Sequence, residues 1–112
     1  MIIQANDTAV LAPFEIWTVM LDDSTIKFFK PFIVQPEILP PEEPGDRTYL
    51  TIDVPELNIS VHADNREDLW KFLLSDIRFV WKRIVLCADN TLSRAATKIK
   101  RNWLTVAEVI DG

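Results

Sequence analysis

Two alternating runs near the middle of the chain organise the reading of everything around them. In RTYLTIDVPELNISVHADN, apolar-leaning residues recur at every second position: Thr48, Leu50, Ile52 and Val54, then Leu57, Ile59 and Val61. A period of two places each set on one face of a β-strand. In an antiparallel hairpin Val54 meets Leu57 across a two-residue loop, or Ile59 across a four-residue loop. Either register keeps apolar opposite apolar. The longer loop is preferred, because Pro55 suits the second position of a type I turn and Asn58 accepts the left-handed conformation that closes it. The other face of the hairpin carries Tyr49, Thr51, Asp53, Ser60 and His62 and is polar.

Upstream, Phe14 to Leu21 (FEIWTVML) is rich in β-branched and aromatic residues on both faces, which predicts a central strand. Thr25 to Val34 (TIKFFKPFIV) predicts a second strand, with Pro31 marking a bulge or an edge because proline cannot donate to the ladder. Residues 35–46 (QPEILPPEEPGD) hold four prolines and predict an extended surface loop inside the same domain.

Downstream the period changes to that of a helix. Asp64 followed by Glu67 predicts a capping box, and a helix over 64–88. Leu69, Trp70, Leu73, Leu74, Ile77, Val80, Trp81 and Ile84 fall on one broad face. Glu67 and Asp68 at the start and Lys82 and Arg83 at the end match the sign of the helix dipole. Phe72, Phe79 and Leu86 lie seven apart outside the main face, so a further element is expected to cover them. A second helix over 93–110 is the expected cover. It is capped by Ser93, with Leu92, Ala95, Ala96, Ile99, Trp103, Val106 and Ile110 on its apolar side. Only Asp111 and Gly112 follow. The expectation is a single α+β domain over 1–112: about four mainly antiparallel strands packed against two C-terminal helices.

Composition narrows the function classes. The chain has 112 residues, 48% hydrophobic and 26% charged, with a formal net charge of -5. A folded protein is expected, and its acidity argues against bulk binding to nucleic acid or to an anionic membrane. The opening residues lack the basic and long apolar regions of a secretory signal. No apolar run approaches the ~20 residues of a membrane span. A cytoplasmic protein without membrane contact is the expected setting.

Candidate chemistry is sparse. His62 shares a strand face with Asp53 and Ser60, but alternate residues on a flat face supply neither an oxyanion hole nor a shielded cleft, so a solvated histidine is favoured. Cys87 follows Val85 and Leu86 and reads as a small apolar filler. The only glycines are Gly45 and Gly112, which leaves no phosphate-binding loop. The expectation is no enzyme, no cofactor and no metal. Arg94, Lys98 and Arg101 project from one side of the second helix and are the nucleic-acid candidate. Phe72, Phe79 and Leu86 are the first candidates for partner binding if the second helix leaves them open, and Ile38 and Leu39 in the Pro-rich loop are the second.

The order of elements around Val54-Pro55-Glu56-Leu57, Ile59-Ser60-Val61 and the helix start Asn65-Arg66-Glu67-Asp68-Leu69 resembles HicB-type antitoxins. Their pattern is a strand, a Pro-Asp/Glu-Leu corner, a returning strand and an acidic-led helix. The resemblance covers roughly a third of the chain. It implies a HicB-like, double-stranded-RNA-binding-domain-like fold in a small bacterial protein, and a role in binding and neutralising a small toxin-like protein partner, or in homo-oligomer formation. The chain departs from the pattern in having Asn58-Ile59 where Gly-Cys often stands. It also has the Pro-rich insertion, a helix where a strand is expected after 64–88, and no appended DNA-binding module.

Overall fold

The computed structural model describes residues 11–40, 45 and 48–111. The β4–β5 hairpin follows its sequence pattern closely. Strands β4 (Tyr49–Val54) and β5 (Ile59–Ala63) pair antiparallel with Val54 opposite Ile59, the register of the four-residue loop. Pro55–Leu57 forms a single 3₁₀ turn, and Asn58 closes it at φ 57° and ψ 37°. Leu50, Ile52, Leu57, Ile59 and Ala63 are buried on one side.

Strands β1 (Phe14–Met20) and β2 (Ser24–Val34) form a second hairpin. Its register shifts between Ile16 and Thr18, where Trp17 stands opposite the segment containing Pro31. Pro31 therefore marks a bulge, and it does so in a central strand: β2 lies between β1 and a C-terminal strand over Ala107–Asp111. The expectation that β1 is central is corrected. It is an edge strand, and its second apolar side faces outward.

Where four strands are expected, the described residues form six. Within the Pro-rich stretch, β3 (Glu37–Leu39) pairs antiparallel with β4, Ile38 opposite Leu50, so a second sheet runs β3–β4–β5. Three residues between prolines suffice for a short edge strand, because only one side of the backbone must find partners. Residues 41–44, 46 and 47 of that stretch lie outside the described residues.

Helix α1 (Arg66–Val80) is capped by Asn65 and not by Asp64: the Asn65 side chain accepts from the Asp68 backbone N–H at 2.8 Å. The helix continues as a π-helical turn over Trp81–Val85, with the Leu86 N–H donating to the Trp81 carbonyl. Helix α2 (Arg94–Val106) is capped by Ser93, as expected, but stops at Val106. The chain then extends into β6 (Ala107–Asp111), which pairs antiparallel with β2 from Phe28↔Ala107 to Ser24↔Asp111. Val109 and Ile110 are β-branched and suit a strand as well as a helix end, and the open ladder of β2 supplies the hydrogen bonds that decide between them.

One contiguous core joins Phe14, Ile16, Ile26 and Phe28 of the first sheet to Leu50, Ile52 and Ile59 of the second, with Leu69, Leu73, Ile77 and Trp81 of the long helix and Trp103 of α2. Among the described residues no helix is long and apolar enough to cross a membrane.

Candidate partner-binding surface

The long helix was expected to be covered on two sides, and it is covered on one. Leu69, Leu73, Ile77, Val80 and Trp81 face the core. Phe72, Phe79 and Leu86 point outward at 47, 57 and 58% exposure. The Arg83 guanidinium stands over the Phe79 ring, 5.3 Å from its centroid. Phe72 and Phe79 on α1, with Leu86 just past the π turn, form an apolar ridge that nothing in the described chain covers.

The second helix fails to cover the ridge because stronger contacts hold it elsewhere. Trp103 is fully buried, and its Nε1–H donates to the Leu57 carbonyl at 2.9 Å. Its ring meets Trp81 edge-on at 5.7 Å and Phe28 at 6.0 Å. Asn102 Nδ2 donates to the neighbouring Glu56 carbonyl at 2.8 Å. These bonds dock α2 on the Pro55–Leu57 corner and not along the Phe72–Phe79 side. Of the expected apolar side of α2, only Trp103 is fully buried; Ala95 is exposed, and Ile110 is exposed on β6.

The second partner-binding choice divides. Ile38 packs against the core and pairs with Leu50, so it is structural, whereas Leu39 is exposed. The basic candidates do come together. Arg94, Lys98 and Arg101 are exposed and line one open hollow with Leu92 and Thr97. Lys100 of the same basic run turns away from it. Its Nζ donates to the Cys87 carbonyl at 2.6 Å and pairs with Asp89 at 2.8 Å. The hydrogen bond and charge of Lys100 hold the Asp89 carboxyl below the usual carboxylate range.

His62 is exposed on the outer face of β5, opposite Thr51, with its ring edge-on to Tyr49 at 5.7 Å. Asp53 opposes Ser60, whose backbone N–H donates to Asp76. The three side chains thus share a face but converge on no common point. The Cys87 thiol is half-buried and donates to the Arg83 carbonyl at 3.1 Å. Among the described residues, no group of three or more His, Cys, Asp or Glu side chains could hold a metal ion.

The feature that sequence reading missed lies on the first sheet. Trp17, Met20, Phe29, Ile33 and Ile110 are exposed on or beside its outer side. The signal was present in the two-sided apolar character of FEIWTVML. It was assigned to a buried central strand because that pattern normally requires cover on both faces.

No family model, no curated protein and no solved structure matches this chain.

Proposed function

We propose that this chain is a non-catalytic protein-binding module, antitoxin-like in its mode of action, that captures a small protein partner on the α1 ridge. The carrying observation is the exposure of Phe72 and Phe79 one above the other on α1, with Leu86 exposed just past the π turn. A helix that presents apolar side chains at such spacing suits a hydrophobic groove in a partner, with the neighbouring charges as its polar rim. The chain's net charge of -5 favours a basic partner. The hairpin and helix start that resemble HicB-type antitoxins support the same reading.

The test is Phe79→Asp, which buries a charge in the proposed contact. Because Phe79 is exposed, the variant keeps the circular dichroism spectrum and melting profile of the parent. It loses at least tenfold in affinity for a purified small basic partner, and it no longer suppresses that partner's toxicity on co-expression. A variant that unfolds would show the phenylalanine to be core, and a folded variant with unchanged capture would remove the ridge from the reading.

A second reading has its own observation, the hollow lined by Arg94, Lys98 and Arg101. Nucleic acid held by three such cations shows an affinity that falls with salt at a log–log slope of about -2 to -3. Absence of binding at low salt removes it.

A further inference from the structure

The outer face of the β1–β2–β6 sheet has the composition of a buried surface, and nothing among the described residues covers it. Cross-strand register assigns its rows: Glu15 opposite Ile33, Thr18 opposite Lys27 and then Glu108, Met20 opposite Thr25 and then Ile110. Trp17 projects between the first two rows, at the shift in register. Phe29 and Lys30 are exposed on the bulged segment beside it. Exposure of Trp17, Met20, Phe29, Ile33 and Ile110 runs from 39% at Ile110 to 70% at Met20. A sheet face of this kind ordinarily packs against a second layer.

We infer that this face is covered by the same face of a second copy of the chain, the two sheets stacking as in a β-sandwich. Three observations select that occupant. The first is charge. The chain carries -5, which disfavours self-association through most of its surface. On this face Glu15 and Glu108 are matched by Lys27 and Lys30, so a second copy meets balanced charge around an apolar centre. The second is area. Five large apolar side chains exposed on or beside one sheet face supply an apolar centre suited to the ~800 Å² that each partner contributes to a stable complex. The charged and threonine rows make up the remainder. The third is the state of the β1 edge, one of the two edges of this sheet at which a second copy could add a strand. Arg78 Nε donates to the Met20 carbonyl at 2.9 Å, and Arg66 Nη1 donates to the Ala12 carbonyl at 2.6 Å. Side chains of α1 thus occupy a backbone acceptor at the Met20 end of β1 and another just before the strand begins, which makes that edge a poor template for an added strand.

This inference does not rest on the α1 ridge, and its test separates the two. Sedimentation equilibrium of the full chain up to about 100 µM gives twice the 12.9 kDa chain mass, and the dimer persists in high salt because its centre is apolar. Ile33→Lys, at an exposed position, keeps the monomer fold and raises the dimer dissociation constant by more than about tenfold. Met20→Lys gives the same reading from the most exposed position, should the first variant not fold. Phe79→Asp leaves the dimer intact. A wild-type monomer at all concentrations overturns the inference and leaves the ridge untouched. A dimer lost in Phe79→Asp but kept in the folded sheet variants overturns it too, and assigns self-association to the helix.

Discussion

Trp103 and Trp81 show how far one polar atom can direct the packing of two otherwise similar side chains. Both are buried in the same core and meet edge-on. Trp103 Nε1–H finds the Leu57 carbonyl, whereas Trp81 Nε1 has no hydrogen-bond partner among the described residues. Replacing each by phenylalanine removes similar ring volume, but only one loses a bond. Trp103→Phe is therefore expected to cost about 1 kcal/mol more than Trp81→Phe in urea unfolding, the net worth of one hydrogen bond plus the carbonyl it leaves unmatched. Equal losses would mean that the bond contributes nothing to holding α2 on the corner. The sequence offered the position of Trp103 on an apolar stripe, and that much was right. It did not offer the carbonyl 46 residues earlier that the indole reaches.

At the scale of elements, local chemistry decided starts better than ends. Ser93 caps α2 as its sequence suggests, and Asn58 closes the hairpin in the left-handed region. At α1 two adjacent residues compete, and Asn65 takes the cap position because its side chain reaches the Asp68 N–H. Asn65→Ala is expected to cost ~1 kcal/mol of stability by thermal or urea unfolding, as an ordinary cap loss does. No measurable change would return the cap to Asp64. Helix ends were harder to read. The last α-helical turn of α1 gives way to a π turn, and α2 gives way to a strand within one residue. In both cases the segment continues in the geometry that satisfies its backbone and buries its side chains against neighbours far away in sequence.

For the whole molecule, a single core spans two sheets that do not pair with each other. Leu73 lies fully buried in the α1 face that binds them together. Leu73→Ala is expected to cost about 2–5 kcal/mol, with β2 and β4 amides losing hydrogen-exchange protection together. Loss confined to one sheet would mean that the two unfold as separate units.

What the sequence determined by itself rests on contacts a few residues apart, though not all of these were legible, since the α1 cap falls at Asn65 and the helix ends in a π turn. The β4–β5 register, the Asn58 turn and the inward face of α1 follow from periodicity and backbone stereochemistry, which act locally, while Pro31 signals a bulge or an edge and the sheet decides for the bulge. The spacing of seven also sets Phe72, Phe79 and Leu86 apart from the inward face, although the sequence points to a second helix as their cover and the structure leaves them exposed. Only the tertiary structure decided what covers what. It made β3 a strand by offering it the β4 edge, ended α2 by offering β2 to β6, and held α2 away from the ridge through Trp103. It also left the outer side of β1 open, where the pattern alone indicated burial on both faces. An apolar side chain records that it needs cover, but its neighbour in space is chosen by the free energy of the whole packed chain, or of two chains together.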